Sequence, residues 1–130
     1  MNCDIGLNRP LKVMMVDDNE EVLRVFSSMV TMLGYGVTSF TSAIDAIEYI
    51  KGSLKEIDLI ITDYRMPEMN GLDLLIKVRM SGVDIPSIIL TGYPEEVDSE
   101  RARHCGAAII GKPIRLSELQ HQISMLSYNY

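Results

Sequence analysis

The sequence predicts a doubly wound α/β domain, in which helices cover both faces of one parallel sheet. Five short runs are rich in apolar or β-forming residues, and the first is almost uninterrupted, as is typical of a strand buried on both faces. Between and after them, apolar residues recur at helical spacing. Strands that alternate with helices of this length require right-handed crossovers and therefore a parallel sheet. The length of 130 residues fits one domain.

Each predicted strand is a run of four to six residues, and all but the second are mostly apolar. Pro86 lies near the beginning of the fourth run, where the sheet does not yet need its missing N–H donor. The predicted strands are Leu11–Val16, Val37–Phe40, Leu59–Thr62, Ile85–Leu90 and Ala107–Ile110.

The helices are predicted from apolar spacing and from residues that start or stop a helix. Gly34 and Gly36 end the first helix, Ser42 is a candidate N-cap of the second, and Gly52 closes the second. The fourth helix is the least apolar. The predicted helices are Glu20–Leu33, Ala43–Ile50, Leu72–Arg79, about Glu95–His104 and Leu116–Leu126.

Composition excludes several classes of protein. A net charge of -6 and the absence of any Lys/Arg-rich run argue against direct nucleic-acid binding. The N-terminus has no signal-peptide order, and no apolar stretch is long enough to cross a bilayer. Cys3 and Cys105 form no disulfide framework and have no zinc-ligand spacing. We expect a cytoplasmic domain at 11–126, with loose tails at 1–10 and 127–130.

Polar side chains directly follow the predicted strands. Asp17 and Asp18 follow the first strand, Asp63 the third, Thr91 the fourth and Lys112 the fifth. Ligands of such sheets bind beyond the carboxyl ends of the strands, and these ends meet at one edge. The sequence therefore predicts that three carboxylates, a hydroxyl and an ammonium converge there.

Such a cluster favours a magnesium ion bound together with a phosphoryl group. Three neighbouring carboxylates repel one another unless a cation or a proton intervenes, and Mg²⁺ prefers oxygen ligands. Lys112 and Thr91 could contact phosphoryl oxygens, which suits in-line transfer to Asp63. Each residue alone has an ordinary alternative. Asp17 and Asp18 could cap a helix N-terminus, and Asp63 could simply form a turn. Lys112 could be an ordinary exposed lysine.

Several motifs resemble the receiver domain of two-component response regulators. They are Val-Asp-Asp-Asn at 16–19, Asp-Tyr-Arg-Met-Pro at 63–67, Met-Pro-Glu-Met-Asn-Gly at 66–71, Leu-Thr-Gly at 90–92 and Lys-Pro at 112–113. Each motif is weak alone, but together they follow the strands in order over residues 11–126. The resemblance implies a flavodoxin-like (βα)5 fold with strand order 2-1-3-4-5.

The resemblance also implies the roles of the acidic residues. Asp63 would be the phosphoacceptor. Asp18 would bind Mg²⁺ directly, Asp17 would act largely through water, and the backbone carbonyl of Arg65 would complete the protein ligands.

The remaining motif residues would contact or report the phosphoryl group. Thr91 would move with the phosphoryl group, and Lys112 would pair with it. The Lys112–Pro113 peptide bond would be cis. Ile109 stands where the family often has an aromatic switch residue, so ring rotation there cannot report phosphorylation. Tyr93 is a candidate substitute, although a surface ring is its ordinary role.

Other expectations concern lifetime and partners. The bulky side chains of Arg65 and Tyr93 could limit the approach of hydrolytic water and so lengthen the lifetime of the phosphorylated state. The donor would be a phosphohistidine on a sensor kinase or a phosphotransfer protein. The output partner is not identified by the sequence, and the fourth helix, fifth strand and fifth helix offer a face for it or for a homodimer.

Two alternative functions fit less well. A phosphohydrolase with an aspartyl-phosphate intermediate generally needs a second acid two residues after the nucleophile, where Arg65 stands. A flavodoxin-like nucleotide binder needs a phosphate loop after the first strand, where Asp17 and Asp18 would repel phosphate. We therefore expect a signalling switch and not an enzyme acting on other substrates.

Overall fold

The computed structural model of the protein describes residues 10–53 and 57–128. Five parallel strands form one sheet in the order β2-β1-β3-β4-β5, which confirms the expected topology. The strands are β1 (Lys12–Val16), β2 (Gly36–Phe40), β3 (Leu59–Thr62), β4 (Ser87–Thr91) and β5 (Ala107–Gly111). The helices are α1 (Glu20–Met32), α2 (Ala43–Ser53), α3 (Gly71–Met80), α4 (Ser99–His104) and α5 (Leu116–Tyr128).

The sheet is buried on both faces because successive strand residues point to opposite sides. Met14 packs with residues of α2, α3 and α4 on one side. Its neighbours Val13 and Met15 pack with α1 and α5 on the other. All three side chains are almost fully buried. This accounts for the nearly continuous apolar runs in the central strands.

Side-chain caps fix where several helices begin. Asn19 accepts a hydrogen bond from the Val22 amide at 3.0 Å and caps α1. Ser42 Oγ accepts from the Asp45 amide at 3.2 Å, as expected of an N-cap for α2. Such caps satisfy amides that have no partner within the helix.

The region before α4 differs from the prediction. A short 3-10 helix occupies Pro94–Glu96, and α4 begins only at Ser99. Val97 between them is extended and buried, and the Asp98 side chain accepts from the Arg101 amide at 3.2 Å. Because Val97 leaves the helical conformation to enter the core, the predicted continuous helix from Glu95 is wrong.

Other boundaries moved by a few residues. β4 begins at Ser87, so Ile85 and Pro86 precede it. α5 reaches Tyr128 and so includes residues 127 and 128, which were expected to lie in a loose tail. The N-terminal tail expected at 1–10 lies outside the described residues except for Pro10, and Cys3 lies with it. Within the described ranges, none of the helices has the length and apolar character needed to cross a membrane.

Candidate functional site

Two carboxylates are placed by backbone bonds that continue the sheet beyond its strands. The Asp63 amide donates to the carbonyl oxygen of Val16 at 2.9 Å, directly after β3. The Asp17 amide donates to that of Phe40 at 3.1 Å, directly after β1. The side chains of Asp17 and Asp63 therefore emerge at the carboxyl edge of the sheet, as predicted.

Asp17, Asp18 and Asp63 form an acidic cluster. One carboxylate oxygen from each residue lies within 4.8 Å of the others. Asp17 is buried, Asp63 is partly buried and Asp18 is exposed, so the cluster opens to solvent on one side. Carboxylate oxygens on an open site fit Mg²⁺, which keeps several water or phosphate ligands.

Lys112 supplies the positive charge of the site. Its Nζ lies 3.4 Å from Oδ2 of Asp17 and 3.5 Å from Oδ1 of Asp63. The Lys112 amide donates to the carbonyl oxygen of Thr91 at 2.7 Å, and the following peptide bond to Pro113 is cis. The ammonium also lies 5.8 Å from the centre of the Phe26 ring, on α1. A single cation therefore bridges two of the three carboxylates.

The environment changes the acidity of Asp63. Burial, and then the negative charge of Asp17, raise the pKa of Asp63 above its ordinary value of 3.8. The charge and hydrogen bond of Lys112 and a backbone hydrogen bond from Tyr64 act in the opposite direction. The carboxylate of Asp63 is thus held in a setting where added positive charge would favour its ionised form.

Thr91 is the last residue of β4 and is buried. Its Oγ1 accepts a hydrogen bond from the Tyr93 amide at 3.0 Å. Among the described residues, its hydroxyl makes no hydrogen bond to the acidic cluster. The structure therefore places Thr91 on the strand next to Asp63 but engages its hydroxyl with the following loop.

Arg65 and Tyr93 are in direct contact, which the sequence did not predict. The Arg65 guanidinium lies 3.7 Å from the centre of the Tyr93 ring and forms a two-point ion pair with Glu96. This hydrogen-bonded pair raises the pKa of Arg65 and lowers that of Glu96. Sequence reasoning missed Glu96, and its only signal was an acidic pair in the loop that follows Thr91.

Gly71, the first residue of α3, lies against the backbone of Asp63. Its amide donates to the carbonyl oxygen of Tyr64 at 2.8 Å. A Cβ at position 71 would lie 3.1 Å from both the Asp63 carbonyl carbon and Thr62 Cγ2, and closer still to the Asp63 carbonyl oxygen. Only glycine fits this approach, so α3 helps to fix the backbone at Asp63.

Ile109 lies on β5, paired with Ile89 of β4, and packs against the core on the α2–α4 side. It is partly buried. An aliphatic side chain that contributes to the core offers no ring to rotate between states.

The fold and the site together define a class of α/β domain with an acidic edge beyond its parallel strands. Within that class, the chain matches the response regulator receiver domain family over residues 13–124. It belongs to this family, and the resemblance seen in its motifs is confirmed.

Curated relatives agree with this assignment. The response regulator SaeR of Staphylococcus aureus is 32% identical over 115 residues, which are 88% of this chain and 49% of SaeR. The two-component response regulator ARR10 of Arabidopsis thaliana is 30% identical over 112 residues, 85% of this chain and 20% of ARR10. The chain thus spans half or less of these relatives.

Solved structures share the fold. A response regulator receiver domain protein from Clostridium thermocellum superimposes with a TM-score of 0.84 at 24% identity, covering 92% of this chain and 95% of that one. The response regulator TrrA from Thermotoga maritima, in complex with Mg(2+)-BeF, gives a TM-score of 0.78 at 21% identity, covering 89% and 98%.

Proposed function

We propose that this domain is a phosphorylation-activated switch of a two-component phosphorelay, with Asp63 as the phosphoacceptor. The observation that carries the proposal is the cluster of three carboxylates within 4.8 Å, two of which, those of Asp17 and Asp63, are bridged by Lys112. A charged nucleophile, a compact cation and a set of oxygen ligands meet at one point. These are the parts that phosphoryl transfer needs.

The acceptor step uses the ionised carboxylate of Asp63. One of its oxygens forms a bond to phosphorus as the bond between phosphorus and an imidazole nitrogen of a phosphohistidine breaks. The imidazole leaves as the neutral base when its other ring nitrogen already carries a proton, and otherwise it leaves as imidazolate and takes a proton from water. Lys112, 3.5 Å from Asp63, is positioned to neutralise charge on the phosphoryl oxygens. Thr91 would donate its hydroxyl to one of them.

The donor set fits a magnesium ion. Asp18 and Asp63 would bind it directly, Asp17 largely through water, and the carbonyl of Arg65 would add a backbone oxygen. When bound, Mg²⁺ supplies positive charge that offsets the repulsion among the carboxylates and the phosphoryl oxygens. The Mg(2+)-BeF complex of TrrA supports a site of this kind in the shared fold.

The proposed partners follow from family membership. The donor is a phosphohistidine on a sensor histidine kinase or a phosphotransfer protein. The face made by α4, β5 and α5 would engage an output domain, a partner protein or a second copy of the chain. We propose that the domain acts in the cytoplasm and that its own chemistry is limited to accepting and losing its phosphoryl group.

Intact mass spectrometry after incubation with acetyl phosphate and Mg²⁺ tests the acceptor. We expect a gain of one phosphoryl group in the wild type and none in Asp63→Asn. No gain in the wild type, or the same gain in the variant, would refute the assignment.

Calorimetric titration with Mg²⁺ tests the ligand set independently. Asp18→Ala should lose measurable binding because it removes an exposed ligand oxygen while leaving the Lys112 bridge in place. Wild-type affinity in this variant would contradict the assignment of Asp18.

A further inference from the structure

Arg65 carries a positive charge two residues after Asp63, and its guanidinium is already paired with a carboxylate. Its Nε donates to Oε1 of Glu96 at 2.9 Å, and a terminal nitrogen of the guanidinium donates to Oε2. The guanidinium also lies 3.7 Å from the centre of the Tyr93 ring. Two-point pairs of this kind hold a guanidinium in a defined plane. We call these three side chains the Arg65–Glu96–Tyr93 clamp.

The clamp connects the two loops that carry the proposed chemistry. Arg65 lies two residues after Asp63, and Tyr93 lies two residues after Thr91. The Tyr93 amide donates to Oγ1 of Thr91 at 3.0 Å. A rearrangement of the clamp would therefore affect both the loop after Asp63 and the Thr91 hydroxyl, which is expected to contact the phosphoryl group.

Phosphorylation would set up a competition for Arg65. Phosphorylation replaces the single negative charge of the Asp63 carboxylate with a phosphoryl group that carries about -1.5 to -2 charge. The Cα atoms of Asp63 and Arg65 are separated by at most about 7 Å of chain, so a guanidinium released from Glu96 can turn to within the Debye length of about 8 Å of the phosphoryl group. A free guanidinium on Arg65 would therefore attract the phosphoryl group. While it is bound to Glu96, most of that attraction is cancelled.

We propose that Glu96 is a positioning residue that acts through Arg65 and weakens retention of the phosphoryl group on Asp63. This inference rests on the proposed function. When Asp63 is phosphorylated, Arg65 turns from Glu96 towards the phosphoryl oxygens and the clamp opens. The ring of Tyr93, which is 46% exposed, and the segment before α4 then change their surroundings. The change around Tyr93 would report phosphorylation without an aromatic residue at position 109, where this chain has Ile109.

Beryllofluoride with Mg²⁺ is a suitable probe. Its beryllium, bonded to three fluorides and one aspartate oxygen, is tetrahedral and stands in for the phosphoryl group. Its affinity is measured by NMR titration of the full chain. We expect Glu96→Gln to bind about two- to five-fold more tightly than the wild type, because an exposed ion pair holds its partner only weakly. Glu95→Gln is the matched control, since it removes the same charge one residue away and leaves the clamp intact.

A double-mutant cycle separates a role through Arg65 from a general charge effect. The gain from Glu96→Gln should disappear in the Arg65→Gln background, and the Arg65 Nε–H signal of the wild type should shift when beryllofluoride binds. The inference is overturned if Glu96→Gln binds no more tightly than Glu95→Gln, or if its gain persists without Arg65. Failure of the wild type to bind beryllofluoride would instead overturn the proposed function.

Discussion

Replacing Gly71 with alanine tests whether α3 fixes the backbone at the acceptor. The added Cβ would lie 3.1 Å from both the carbonyl carbon of Asp63 and Cγ2 of Thr62, with the Asp63 carbonyl oxygen nearer than either. Neither side can yield easily, because Asp63 is held to Val16 by a 2.9 Å backbone bond and the start of α3 is buried. Forced shifts of this kind cost about 1–3 kcal/mol.

The expected loss of unfolding free energy corresponds to a fall in the melting temperature, Tm. An unfolding entropy of about 2.1 cal/mol/K per residue gives about 0.27 kcal/mol/K for 130 residues. Gly71→Ala should therefore lower Tm by about 4–11 °C, measured by circular dichroism and checked by urea denaturation.

Gly52→Ala is the matched control for this substitution. Gly52 lies in α2, and a Cβ there would meet no atom within 4 Å. The same change should be neutral, or stabilising by up to about 1 kcal/mol, because alanine favours a helix over glycine. If Gly71→Ala proves as stable as Gly52→Ala, the close packing of α3 on Asp63 is wrong.

Two further predictions concern the cap of α1 and the titration of the site. Asn19→Ala removes the 3.0 Å hydrogen bond from the Val22 amide and should lower the free energy of unfolding, measured in urea, by about 1 kcal/mol. Asn19→Ser should retain most of the stability because serine also caps a helix. Equal losses in both variants would contradict the cap. The folded pKa of Asp63 is raised above 3.8, so in the metal-free protein the folded state binds its proton more tightly than the unfolded state. Its contribution to stability is therefore present below pH about 3.8 and lost as pH rises through the raised pKa. With a chelator present, Asp63→Asn should gain stability relative to the wild type between pH 4 and pH 7, and a relative loss over this range would show that the pKa is not raised.

The topology and the main site were predictable because they depend on short-range patterns. The buried run Leu59–Thr62 coincides with β3, and the residue after it had to emerge at the carboxyl edge. Parallel strands end at the same edge, so Asp17, Asp63 and Lys112 converge without any knowledge of loop conformation.

The remaining features depend on how loops lie relative to one another, which spacing along the chain does not encode. The pairing of Arg65 with Glu96 joins residues 31 positions apart in two irregular segments. The late start of α4 depends on Val97 entering the core, and a polar segment with one valine gave little sign of this. The fit of Gly71 against Asp63 likewise requires the three-dimensional path of the intervening loop.

The most direct test of the account is to locate the phosphoryl group chemically. Borohydride reduces an aspartyl phosphate to homoserine, with loss of one oxygen and gain of two hydrogens relative to aspartate. After treatment with acetyl phosphate and Mg²⁺, reduction and peptide mass spectrometry, we predict homoserine at position 63. Homoserine at the position of Asp17 or Asp18, or an unaltered peptide containing Asp63, would contradict the assignment of Asp63 as the phosphoacceptor.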